Sequence, residues 1–189
     1  MKICIFGASS NTIDPSYITQ TEILSETLAK RGHTLIFGGG ANGLMGAMAR
    51  GFTKGGGYII GVAPRFFDLP GVLYQQCDEF VYPDSMRDRK KFMEDNADAF
   101  IVVPGGIGTY EEFFEVVTLK QLARHAKPIV LYNINGFFDK LVSLIHSDTD
   151  TGFIRPQTEE LFEVTSDMDE VIALTEAGEM DIDQIRFYD

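Results

Sequence analysis

The 189-residue sequence predicts a single α/β domain, a doubly wound parallel sheet with helices on both faces. Three features carry that prediction. Short apolar runs alternate with amphipathic helical stretches along nearly the whole chain. The runs are continuously apolar, as expected of strands covered on both sides. Two glycine-rich segments directly follow strands and open helices, which is where such sheets hold ligands.

Taken in order, residues 3–6 (Ile-Cys-Ile-Phe) form the first strand and 16–31 the first helix. Residues 34–37 and 58–62 are the next strands, with a helix over 43–54 between them. The stretch 63–76 carries Pro64 and Pro70 and reads as irregular. A weak strand over 79–82 precedes a helix at 85–96, and 99–103 is the most apolar strand. A helix over 110–123, a strand at 129–132 and a helix over 137–148 follow, then a short strand near 161–164 and a helix over 167–177. The acidic end, 176–189, reads as a solvated tail or a packed terminal arm.

Composition narrows the function classes. An apolar fraction of 44% suits a globular core, and no apolar run reaches the ~20 residues that span a bilayer. The N-terminus runs straight into a strand without a signal-peptide pattern, so a cytoplasmic protein is expected. Its cysteines, Cys4 and Cys77, offer neither a disulfide framework nor a C-x-x-C pair. The net charge of −12 argues against nucleic acid and anionic membranes as partners. An anionic ligand then needs a local positive site, which backbone amides at a helix N-terminus can supply.

The first glycine-rich loop, 38–46, reads Gly-Gly-Gly-Ala-Asn-Gly-Leu-Met-Gly. Gly38, Gly40 and Gly43 satisfy G-x-G-x-x-G, the dinucleotide fingerprint. No Asp or Glu ends the next strand to grip a ribose; Arg65 stands there instead, and the loop follows the second strand rather than the first. Glycines serving only a tight turn are the plainer alternative. The second loop, 104–112, is Pro-Gly-Gly-Ile-Gly-Thr-Tyr-Glu-Glu and lacks the Gly-Lys-Ser/Thr of a P-loop. Thr109 as N-cap with Glu112 three residues on would make a capping box. Yet a phosphate loop followed at once by two acids is an electrostatic conflict, relieved when phosphate and carboxylate engage different parts of one ligand.

On the helix at 85–96, Met86, Met93 and Ala97 share a face. Lys90 falls within that stripe, Arg89 on its edge, and Lys91 points away. Lysines beside apolar stripes commonly snorkel to solvent. Two adjacent cations on a packing face call for an anionic partner, a ligand phosphate or Glu112. His33, His125 and His146 have no metal-ligand spacing and read as surface or helix-end residues. Asp14, Asp68 and Glu79 sit on loops within possible reach of the same site.

Together these motifs resemble the Lonely Guy family, the cytokinin riboside 5′-monophosphate phosphoribohydrolases often mislabelled lysine decarboxylases. The pattern P-G-G-x-G-T-x-x-E matches 104–112, M-x-x-R-K matches Met86, Arg89 and Lys90, and G-G-G-x-x-G-L-M-G matches 38–46. The resemblance implies a Rossmann-like homodimer that converts a nucleoside 5′-monophosphate into free base and ribose 5-phosphate without a metal or organic cofactor. It implies Arg89 and Glu112 as the catalytic pair. It implies ligand contacts at Gly39, Gly43, Met45, Lys90 and Thr118, and phosphate binding by Gly105, Gly106, Ile107, Gly108 and Thr109. The chain departs from plant-like members at Arg87, where they often carry His, and at 7–10, which lacks their Cys-Gly. Related folds include molybdenum-cofactor carriers, which hold a phosphorylated pterin without cleaving it, so a non-catalytic binder is the alternative.

Overall fold

The computed structural model describes residues 1–181. It is a Rossmann-like α/β fold whose seven parallel strands run in the order β4-β3-β2-β1-β5-β6-β7. The chain begins with β1 (Lys2–Phe6), α1 (Pro15–Lys30), β2 (Thr34–Phe37) and α2 (Gly43–Gly55). Then come β3 (Tyr58–Val62), β4 (Glu79–Val81), α3 (Met86–Asn96), β5 (Ala99–Val102) and α4 (Ile107–Gln121). The last elements are β6 (Ile129–Tyr132), α5 (Asp139–Asp150), β7 (Glu163–Thr165) and α6 (Met168–Glu176).

The pleat of β1 explains its unbroken apolar sequence. Ile3 and Ile5 join a core with Leu24, Phe52 and Val171, while Cys4 and Phe6 face the opposite core with Met93, Phe113 and Phe138. Helices α1, α2 and α6 therefore cover one face, and α3, α4 and α5 the other. The chain winds outward from β1 to β4, then returns to β5 on the far side of β1. That reversal opens a crevice beyond the carboxyl ends of β1 and β5, the switch point at which such sheets take ligands.

Several sequence expectations shift here. The stretch 63–76 contains one 3-10 turn, Arg65–Phe67, and another, Pro156–Leu161, occupies the start of the expected last strand, so β7 begins at Glu163. Helix α4 begins a turn before the expected start, because its N-cap is Gly106 in an extended conformation. Thr109 and Glu112 thus both lie inside the helix, and no capping box forms. In α3 the buried line runs through Arg89, Met93 and Ala97, each four residues apart. Arg89 therefore takes the inward position and Lys90 the edge, the reverse of the reading from Met86, which is exposed.

His33 is buried rather than superficial. Its Nε2 lies 2.7 Å from Glu176 Oε1, and the same oxygen accepts from Arg31 Nε at 2.7 Å. This cluster ties the end of α6 to the turn between α1 and β2. Of the acidic end, Glu176 makes that tie and the Met180 amide donates to the Ala126 carbonyl at 2.9 Å, whereas residues 182–189 lie outside the described part.

Hydrogen bonds from Arg31 hold the Glu176 carboxyl down to about 2. A depressed folded value makes this tie contribute above the ordinary carboxylate value and lose its contribution as pH falls towards the folded one. Glu176→Gln should therefore lower the melting temperature at neutral pH. Thermal unfolding followed from about pH 6 to about pH 3 should show the gap between wild type and variant closing. A gap that stays constant across that range would contradict the assignment.

Candidate active site

The crevice beyond the strands is a cleft of about 630 Å³. Three loops meet there, after β1, β2 and β5, and they are tied to one another. The Ala8 amide donates to the Pro104 carbonyl at 3.1 Å, and the Ala8 carbonyl accepts from Leu44 and Met45 at 2.8 and 3.1 Å. Gly43 donates its N–H to Asn11 Oδ1 at 2.8 Å. The first amides of α2 are consequently satisfied within the protein.

The start of α4 differs. Its N-cap, Gly106, supplies no side chain, and among the described residues the N–H groups of Gly106, Ile107, Gly108 and Thr109 have no acceptor. A Cβ at Gly106 or Gly108 would meet nothing within 4 Å, so the chain there faces open space. These four residues line the cleft. Orphan donors at the positive end of a 15-residue helix make a site for an anion. Gly105 sits behind them and makes room for Thr109, because a Cβ there would come within 2.1 Å of the Thr109 hydroxyl.

Helix α3 brings Arg89 to the cleft from the other side. The residue is only 8% exposed. Its Nε donates to the Val62 carbonyl at the end of β3, at 3.0 Å, and its Nη1 donates to Glu112 Oε1, also at 3.0 Å. Glycine at 38 is what admits the guanidinium, since a Cβ there would lie 2.2 Å from Nη2. Glu112 lines the cleft with its second oxygen unpaired among the described residues. Burial raises the Glu112 carboxyl above its ordinary value, and Arg89 opposes that rise. The result is a carboxylate with one oxygen held by a fixed cation and the other open to the cleft, suited to stabilising a developing positive charge or orienting water.

The remaining candidates divide by position. Met45 lines the cleft, whereas Gly39 and Gly43 pack behind it, Gly39 against Phe80 and Gly43 against the Ala8 and Ser10 carbonyls. Lys90 is absent from the lining: its Nζ pairs with Glu111 at 2.5 Å and Glu115 at 2.6 Å, joining α3 to α4. Thr118 lies further along α4, beside a separate cavity of about 240 Å³ with Phe114 and Phe153. Asp14 caps α1, and neither it nor Asp68 or Glu79 reaches the cleft. Sequence reading missed Gly38 as a packing requirement. It also missed Ser9, Asn42, Phe67 and Glu111 on the lining; Glu111 adjoins Glu112 in the motif, whereas nothing local marks the others.

Other reactive groups lie elsewhere or are muted. Burial pushes both thiols up, that of Cys77 to about 12, so neither is a ready nucleophile. His125 is brought down to about 4 by burial, with Nε2–H donating to the Val116 carbonyl at 2.9 Å. No group of three or more His, Cys, Asp or Glu suited to a metal occurs among the described residues. No helix there is long and apolar enough to cross a membrane.

Known proteins resemble the chain in both sequence and fold. A family model described as "possible lysine decarboxylase" matches residues 45–175. A cytokinin riboside 5′-monophosphate phosphoribohydrolase of Arabidopsis thaliana is 35% identical over 184 residues, covering 97% of this chain and 85% of the relative. A probable enzyme of the same name from that plant is 39% identical over 154 residues, covering 82% and 77%. Among solved structures, the molybdenum cofactor carrier protein of Chlamydomonas reinhardtii superposes with a TM-score of 0.70 at 20% identity, over 93% of this chain and 96% of that one. The molybdenum cofactor binding protein of Rippkaea orientalis gives 0.71 at 20% identity, over 93% and 95%. At such identity these two establish the fold alone. On the family match and the two plant relatives, the chain belongs to the "possible lysine decarboxylase" family, the Lonely Guy family of phosphoribohydrolases.

Proposed function

We propose that the chain hydrolyses the N-glycosidic bond of a nucleoside 5′-monophosphate, a cytokinin riboside monophosphate or AMP, to the free base and ribose 5-phosphate. The observation that carries this reading is the meeting of two unlike groups in one cleft: the unpaired amides of Gly106–Thr109 and the Arg89–Glu112 pair. The amides bind the 5′-phosphate. The ribose then lies beside Glu112, and the electrostatic conflict between a phosphate loop and an acid is resolved along the length of the ligand.

Breaking the bond builds oxocarbenium-like charge on the ribose. Glu112 stabilises that charge and orients the water that adds to C1′ as the base departs. Arg89 keeps the carboxylate ionised and fixed in place. Water supplies the hydroxyl of ribose 5-phosphate and the proton taken up by the base, so no cofactor enters the balance. A carrier that only holds a phosphorylated ligand has no need of a desolvated carboxylate facing the sugar, which is why the hydrolase reading is preferred. Self-association belongs to the same reading: exposed Phe114 and Phe153 flank the cavity beside Thr118, an apolar patch that a second copy would cover.

Glu112→Gln keeps an acceptor for Arg89 while removing the charge. It should reduce kcat on AMP or N6-isopentenyl-AMP by ~100-fold or more, with nucleotide affinity largely retained. Chromatographic assay of released base, paired with calorimetric titration, checks both halves. Unaltered turnover would exclude Glu112 from the chemistry.

The pH profile gives a second check. Activity needs the carboxylate, and burial raises its folded value above 4.5, so kcat/KM should fall as pH drops through that raised value. The acid limb should therefore lie above the range of an ordinary glutamate. A profile flat down to about pH 4 would contradict the role.

A further inference from the structure

Glu111 and Glu112 are neighbours in the first turns of α4, and both line the cleft. A ligand laid along the cleft sets its ribose against Glu112. That arrangement leaves the second acid unanswered, within about one helical turn of the amides that would hold a phosphate. Like charges so close weaken anion binding and make it harder for Glu112 to stay ionised.

Lys90 supplies the missing answer. Its Nζ lies 2.5 Å from Glu111 Oε1 and 2.6 Å from Glu115 Oε2, one turn further along α4. The lysine side chain is 16% exposed and that of Glu111 56%, so the cation is the fixed member and the acid the one drawn to it. Burial works against the charge on Lys90, yet the two carboxylates hold its ammonium above the ordinary lysine value. Glu94, one turn on along α3, is pushed up to about 7 by burial and then by Glu115, while Lys91 turns away to Asp95 at 2.7 Å. The seam between α3 and α4 therefore holds an excess of acid around Lys90.

Glu112 registers these charges. After burial and Arg89, its carboxyl is raised by Glu111 and lowered by Lys90, two opposed influences from one ion pair. Lys90 itself stands outside the cleft lining, so it reaches a ligand through Glu111 and not by contact.

We propose that Lys90 is a positioning residue: by holding Glu111 in the seam between α3 and α4, it keeps a second negative charge off the bound phosphate and off Glu112. This differs from the direct ligand contact that the family resemblance implies. The inference rests on the phosphoribohydrolase reading for its ligand, but its evidence is the bridge from Lys90 to Glu111 and Glu115, not the Arg89–Glu112 pair.

The test is a cycle of Lys90→Met, Glu111→Gln and the double variant, with Lys90→Arg as the conservative replacement. Lys90→Met should lower kcat/KM on AMP by ~10-fold or more at neutral pH, the scale of one unscreened like charge at this range. It should also move the acid limb of the profile to higher pH. Adding Glu111→Gln should recover most of the loss and return the limb, because the charge that needed screening is gone. Lys90→Arg should keep most of the activity. Two readouts need no turnover: the dissociation constant of ribose 5-phosphate, and carbon-13 NMR titration of the Glu112 carboxyl, identified as the signal missing from Glu112→Gln. Both should follow the same order across the cycle. A loss that persists in the double variant, or a Glu112 titration unmoved by Lys90→Met, would overturn the proposal. If wild type releases no base from any nucleotide, the hydrolase reading fails alone, because the titration still decides the role of Lys90.

Discussion

A guanidinium can be buried at the end of a parallel sheet only if its donors are answered and an opposite charge stands beside it. Arg89 has the opposite charge in Glu112 and two of its donors answered, by the Val62 carbonyl and Glu112, and much of the cleft follows from these ties. Gly38 must lack a side chain, α3 must present Arg89 on its inward line, and α4 must begin early enough to set Glu112 opposite. Lys90 adds a second tie between the same helices through Glu111 and Glu115. Removing one member of such a pair strands a buried charge, at a cost on the order of 3–5 kcal/mol. Geometry and stability are therefore coupled at this point.

The two glycine-rich loops look alike as sequence and are used differently. At α2 the early amides are consumed by Asn11 and the Ala8 carbonyl, so its glycines serve close packing of three loops. At α4 the early amides have no acceptor among the described residues. Hydrogen-bond accounting, rather than glycine content, distinguishes a structural turn from an anion site. A capping box at Thr109 would have consumed a donor there. Its absence leaves the helix end open to a ligand.

The fold was legible because the inner strands had to be apolar on both faces, while the edge strands β4 and β7, each opening on an exposed Glu, were the weakly marked ones. β1 and β5 could hardly be read otherwise. The Arg89–Glu112 ion pair was legible in part, since two adjacent cations beside an apolar stripe called for an anionic partner and Glu112 was one of the two candidates. What local pattern did not carry was rotation and register. A stripe of four positions fixes a helix face only to within one residue, so Arg89 and Lys90 exchanged places. The start of α4 depended on the extended conformation of Gly106, which glycine permits but does not announce. The role of Gly38 arises from a contact far apart in sequence, with Arg89, and leaves no local trace.

The central claim is that one ligand spans the open helix end and the buried pair. A crystal structure of Glu112→Gln with AMP tests it most directly. The account predicts phosphate oxygens within hydrogen-bond distance of the amides of residues 106–109, with ribose C1′ facing the side chain at 112. A phosphate bound elsewhere, or a ribose turned away from residue 112, would contradict it.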